Sequence, residues 1–189
     1  MNRSSQYPIA DFILNRHSPR AMSGEPITLD ELMPLFEAAR WAPSSYNNQP
    51  WRFVFALKNS SAWDHFFNLL VEFNQSWCKN AGALIIIASK NNFDFNGKTS
   101  RTHSFDTGAA CENLALQGYL NNLVVHGMEG FDYTRAAQVI NLPENHTIEA
   151  MFAIGKPGEI SNLSPELQVK EILSTRKDLK QVVFDSKIA

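Results

Sequence analysis

The longest unbroken apolar stretch in the chain is Ala83-Leu84-Ile85-Ile86-Ile87-Ala88. It is far shorter than the ~20 residues a helix needs to cross a bilayer. Its hydrophobicity is continuous rather than alternating, which marks a strand buried on both faces. Such a strand needs cover on each side, so the rest of the chain is expected to flank a central sheet with helices.

The neighbouring pattern offers that cover. Residues 8–15 read as a short helix with Pro8 in its first turn and Ile9, Phe12 and Ile13 on one face. Residues 29–41 read as a stronger one. Thr28 and Glu31 have capping-box spacing, and Leu29, Leu32, Met33, Phe36 and Ala39 form its apolar stripe. The polar stretch from Ser44 to Pro50 stops that helix, and residues 53–56 follow as a strand. Residues 61–73 predict a further amphipathic helix carrying Trp63, Phe66, Phe67 and Leu70, and residues 91–104 predict a loop. Asp106 is placed to cap a long helix reaching about Asn121. On that helix Gly108, Cys111, Ala115 and Gly118 share a face of small residues that lets a second backbone approach closely. Residues 123–126, 151–154 and 182–184 read as strands, and 133–140 as a short helix. No repeat or linker interrupts the alternation, so a single α+β domain over 1–189 is expected.

Composition narrows the function. At 189 residues, 44% hydrophobic and 19% charged, the chain can bury a core without staples. A net charge of -2 with no long basic run argues against a nucleic-acid partner, which would normally need a basic face. Cys78 and Cys111 are too far apart for a metal knuckle, and no His/Cys cluster accompanies them, so no metal is expected. Two reduced thiols are the simpler reading of the pair, with a disulfide the other. Met1-Asn2-Arg3-Ser4-Ser5 has no apolar signal core, so a soluble cytoplasmic protein without membrane partner is expected.

Four segments could carry chemistry. Arg16-His17-Ser18-Pro19-Arg20 holds two guanidiniums and a hydroxyl within five residues, which reads as an anion clamp or as a solvated basic turn. Ala42-Pro43-Ser44-Ser45-Tyr46-Asn47-Asn48-Gln49-Pro50-Trp51 is a donor-rich loop that could face a polar ligand or only cap itself. Gly127-Met128-Glu129-Gly130-Phe131 follows a strand, and its glycines would let the backbone approach a flat ligand; a plain strand end is the alternative. Arg176-Lys177 lies near the carboxyl end. No GxSxG elbow, HExxH pair, phosphate-binding P-loop or dinucleotide fingerprint is present. A Cys111/His103 nucleophile pair is the remaining side-chain alternative.

Taken together and in this order, the segments resemble the nitroreductase family of FMN-dependent enzymes over nearly the whole chain. The first resembles the family's Arg-x-Ser-x-Arg/Lys flavin segment and the second its Pro-Ser-x-x-Asn-x-Gln-Pro-Trp loop. Asp106-Thr107-Gly108-Ala109-Ala110 with Asn113-Leu114 resembles the start of its dimer helix. Glu129-Gly130-Phe131-Asp132 resembles the segment facing the flavin ring. The resemblance implies a nitroreductase-like α+β fold: a central, mainly antiparallel sheet flanked by helices, in an intertwined homodimer built on a long central helix. The tail from about residue 160 would reach onto the partner subunit. FMN would be the cofactor, with NADH or NADPH as transient donor and a small molecule such as a nitroaromatic or quinone as acceptor. Arg16, His17, Ser18, Arg176 and Lys177 would hold the phosphate end. Arg20 would lie near flavin N1 and O2, where it would stabilise the reduced ring, and Asn74 at the pyrimidine edge. Met128, Glu129 and Gly130 would meet flavin N5. Pro43, Ser44, Ser45 and Asn47 would come from the partner. Trp77 stands where some members carry a second lysine, which leaves more of the charge to Arg20. The short loop 91–105, with Phe93 and Phe95 as lid candidates, implies an open pocket. Other readings on the same scaffold are enal, semialdehyde or flavin reduction, or flavin binding for storage or sensing without turnover.

Overall fold

The computed structural model describes residues 3–188. The buried run sits where its composition demands. Strand β2 (Ala83–Lys90) lies between β1 (Trp51–Leu57) and β4 (His146–Gly155), and β3 (Val124–Met128) closes the far edge. The order is β1-β2-β4-β3 and every pairing is antiparallel.

Alternate residues of β2 enter two separate cores. Leu84 and Ile86 pack with Phe66, Leu69, Trp77, Met151 and Leu167 on one face. Ile85 and Ile87 pack with Leu32, Leu35, Ala110, Leu114 and Ile154 on the other. All three isoleucines are fully buried, each stabilising the fold by roughly 1.5–3 kcal/mol relative to exposure.

One cover is made by α2 (Leu29–Arg40) and α5 (His103–Leu120). The predicted capping box of α2 forms: Thr28 accepts from the Glu31 N–H, and the Glu31 carboxylate accepts from Thr28. Its apolar stripe is shifted, however. Leu32, Leu35 and Ala39 are buried, while Leu29 and Met33 are exposed. The helix also runs through Pro34, which removes one i−4 hydrogen bond. Helix α5 is capped at Thr102, not Asp106. Asp106 lies inside the first turns, where its carboxylate accepts from the Ser45 N–H at 3.0 Å and Thr102 Oγ1 at 3.1 Å. The small-residue face of α5 divides. Gly118 meets its own chain, where a Cβ would lie 2.3 Å from Val125 Cγ2, whereas Gly108 faces open space.

The other cover holds α3 (Trp63–Phe67), α4 (Glu72–Cys78), α6 (Tyr133–Val139) and α7 (Pro165–Gln168). A single helix over 61–73 does not form. Residues 69–71 leave helical geometry because Leu70 bridges to Phe131, Val71 donates to the Gly130 carbonyl, and Asp132 donates to the Leu69 carbonyl. Helix α1 (Asp11–Asn15) starts later than Pro8 and precedes the segment Arg16–Arg20. In the tail, residues 182–184 are not a strand. A 3-10 turn at Leu179–Gln181 precedes them, and Val182, Val183 and Phe184 are exposed on this single chain.

Candidate functional site

Both ends of the chain converge on one cavity of about 280 Å³. From the amino-terminal side come Arg3 and the run Arg16–Arg20; from the tail come Lys170, Glu171, Ser174 and Arg176. The local folding of the first wall is simple. The helix α1 ends as Arg16 donates to the Phe12 carbonyl, and Arg3 Nη1 takes up the carbonyls of Leu14 at 3.0 Å and Arg16 at 2.7 Å. Arg16 Nη1 then donates to Ser18 Oγ, and Arg16 Nε lies 3.7 Å from Glu112.

The charges are unbalanced. Arg3, Arg16, Arg20, Lys170 and Arg176 face the cavity with only the Glu171 carboxylate among them. That carboxylate is committed, because it accepts from the Arg20 backbone N–H at 2.9 Å and from Arg20 Nη1 at 3.3 Å. Arg20 Nε is buried without a partner. The Arg3 guanidinium holds its proton less firmly than usual, first through burial and then through Arg176 and Arg16. Crowded guanidiniums of this kind suit an anion with several oxygens, such as a phosphate monoester.

Asn74, Met128, Glu129 and Gly130 do not line this cavity, and the link from it to the sheet runs through His126. His126, on β3, has Nδ1 at 3.0 Å from the Pro19 carbonyl, so a neutral imidazole donates there and ties the Arg16–Arg20 run to the sheet. Burial, with Arg20 adding to it, lowers the proton affinity of His126 against the raising effect of that bond. Its ring packs 4.6 Å from that of Trp77, a fully buried residue whose Nε1 has no partner. Just past the end of β3, Gly130 is pressed against the start of α4. Asn74 Nδ2 donates to its carbonyl at 3.0 Å, and a Cβ on Gly130 would lie 2.7 Å from that nitrogen. Only glycine fits. Glu129 is exposed, and the Met128 side chain turns into the core, 3.3 Å from Cys78 Sγ. Met128 can therefore offer only backbone to a ligand.

The loop 43–49 lies away from this cavity, and none of Pro43, Ser44, Ser45 or Asn47 lines it. The loop is nonetheless built to a fixed shape. Tyr46, Asn47 and Gln49 all have positive φ, Ser44 Oγ accepts from the Gln49 N–H, and Ser45 is anchored to Asp106. Of the predicted phosphate group, Arg16, His17, Ser18 and Arg176 come together, joined by Arg20, and Lys177 does not line the cavity. Arg3 and Lys170 take places that no motif announced. Arg3 lies in a polar stretch without pattern, and its partners come from the end of α1 and from the tail.

Alternative chemistries find little support here. Cys78 and Cys111 are free thiols. Burial pushes Cys111 up to about 12, aided by Glu149 and Glu112, and burial pushes Cys78 up as well. Neither carries the thiolate a nucleophile needs. Among the described residues, no three His, Cys, Asp or Glu side chains are grouped to hold a metal, and no helix is long and apolar enough to cross a membrane.

Known proteins share this fold. An oxidoreductase containing FMN superposes with a TM-score of 0.95 and 40% identity, covering 100% of this chain and 96% of its own. A nitroreductase family protein from Clostridium difficile 630 has the same fold, with a TM-score of 0.72 and 19% identity over 96% of this chain and 100% of its own. The oxygen-insensitive NADPH nitroreductase of Helicobacter acinonychis is 39% identical over 64 residues, which is 32% of this chain and 28% of that protein. The nitroreductase family model matches residues 13–65 and 56–156. With that match spanning the clamp segment, the donor-rich loop and the whole sheet, the chain belongs to the nitroreductase family.

Proposed function

We propose that this protein is an FMN-dependent oxidoreductase that draws electrons from NADH or NADPH and delivers them to a nitroaromatic, a quinone or a similar acceptor in a ping-pong cycle. The observation that carries the reading is the cavity where Arg3, Arg16, Arg20 and Arg176 gather against a single committed carboxylate. The residues present fit the cofactor. The excess of cations over carboxylates around the cavity suits its phosphate, and the unpartnered Arg20 Nε offers a further donor. The FMN-containing relative superposes over the full chain.

When bound, FMN supplies two-electron chemistry by accepting and donating hydride at N5. The protein's part is position and charge. Arg16, His17, Ser18 and Arg176 would hold the phosphate end, with Lys177 next to Arg176 in the chain. Arg20, kept in place by Glu171, would supply a fixed cation near the flavin that favours the negative charge gained on reduction. Asn74 fixes the Gly130 peptide, so the Glu129–Gly130 backbone presents itself at constant distance. Because Trp77 is an uncharged neighbour, Arg20 is the main electrostatic control of the reduced state.

A second copy of the chain completes the site. Pro43, Ser44, Ser45 and Asn47 stand on a rigid loop that points away from their own cavity, and they serve the partner's. The exposed Val182, Val183 and Phe184 and the open Gly108 end of α5 are the surfaces that meet in the dimer.

The deciding experiment is the visible spectrum of the purified protein, followed anaerobically. A bound flavin that NADH or NADPH bleaches, and that a nitro compound or quinone restores, supports the enzyme. A bound flavin that neither nucleotide reduces points to storage or sensing, and a colourless protein that binds no added FMN sinks the proposal.

A further inference from the structure

Arg3 belongs to no motif, yet it makes more long-range polar contacts than any other side chain around the cavity. Its Nη1 holds the carbonyls of Leu14 and Arg16, its Nε donates to the Ser174 carbonyl at 3.2 Å, and its Nη2 donates to Ser174 Oγ at 3.2 Å. Ser174 Oγ also accepts from Arg176 Nη1 at 3.0 Å. One planar guanidinium thus ties the end of α1 to the tail across 171 positions of sequence. It fixes the backbone of one phosphate-facing arginine and, through the shared hydroxyl, the side chain of another.

This clasp is assembled against repulsion. Arg16, Arg176 and Arg3 are like charges brought to one cavity, and each disfavours the others. An anion bound among them turns that repulsion into attraction. The closure of the tail and the occupation of the site are then linked, each favouring the other by the same factor.

We infer that Arg3 is a positioning residue for the phosphate end of the site, clasping the tail at Ser174 so that Arg16 and Arg176 are held ready for a phosphomonoester. The inference rests on the FMN reading. It makes the preference for phosphorylated over unphosphorylated flavin depend on a residue outside the family's motifs. A lysine at this position keeps the charge but lacks the planar fork that reaches four acceptors.

The test compares FMN and riboflavin binding to the flavin-stripped full chain, read by quenching of flavin fluorescence. Arg3→Ala weakens FMN binding about tenfold to a hundredfold, as expected for losing positioned charge-assisted contacts, and leaves riboflavin affinity unchanged. Arg3→Lys falls between, and Lys98→Ala, which removes equal charge outside the cavity, has no effect. In parallel, FMN or inorganic phosphate slows tryptic cleavage at Arg176 in the wild type but not in Arg3→Ala. Unchanged FMN affinity in Arg3→Ala overturns the inference, as does an equal loss for both flavins, which marks a purely structural role. A wild-type chain that binds neither flavin removes the FMN reading itself, and the clasp with it.

Discussion

At the scale of single residues, His126 shows how a side chain outside every motif can shape the site. It joins the Arg16–Arg20 run to β3 through the Pro19 carbonyl and rests on Trp77. Burial makes its charged form unfavourable in the folded protein, so its proton affinity falls below that of the unfolded chain. The unfolded state therefore binds more protons in the interval between the two values. The corresponding stability is intact above the ordinary imidazole range near 6.5 and is lost as pH falls below it. Thermal melts between pH 7.5 and 5.5 should show this loss in the wild type, and His126→Asn should flatten it. An unchanged slope in the variant would place the acid sensitivity elsewhere.

At the scale of elements, a bulge and a helix contact carry the most weight. The β2–β4 register steps between Ile87 and Ala88, which pair with Ala150 and Ile148, so Glu149 is the extra residue. The bulge aims its carboxylate at the start of α5, where it accepts from Ser104 Oγ at 2.7 Å and from the hydroxyl of fully buried Ser89. Because that hydroxyl gives its one proton to Glu149, His103 Nδ1, 2.7 Å away, donates to Ser89 in turn. Glu149→Ala leaves these groups short of an acceptor and should cost about 1–3 kcal/mol in urea unfolding. Gly118 is the second case. Its missing side chain lets α5 lie on Val125 and Leu35, and Gly118→Ala should destabilise the fold by about 1–3 kcal/mol through overpacking. A neutral result in the same measurement would mean that β3 yields easily at Val125.

At the scale of the whole molecule, the single chain leaves several large apolar side chains open to solvent. Phe105 and Leu120 on α5 and Val182, Val183 and Ile188 in the tail are all more than half exposed. Apolar surface of this kind is covered in stable proteins by association. In sedimentation experiments the protein should behave as a dimer. Val183→Asp should shift it toward monomer and, since the rigid 43–49 loop would no longer reach a partner's site, lower flavin occupancy as well. A variant that stays dimeric and keeps its flavin would show that the tail does not form the seam.

Local patterns were enough to reveal the two-sided β2, the capping box of α2, the extended Arg16–Arg20 run and the donor-rich loop, because near neighbours in the chain decide each of them. The break at 69–71, the Glu149 bulge, the role of Asp106 and the place of Arg3 are different. Each depends on a partner distant in sequence: Phe131, Ala88, Ser45 and Ser174 respectively. Helical periodicity over 61–73 lost to backbone pairing with residues 130–132, and Asp106 was drawn from capping to anchor a loop. The chain by itself thus determined the layers and the chemical character of the site. Only the folded structure decided which cations share the cavity, because charge and hydrogen bonding act through space between groups that sequence order keeps apart.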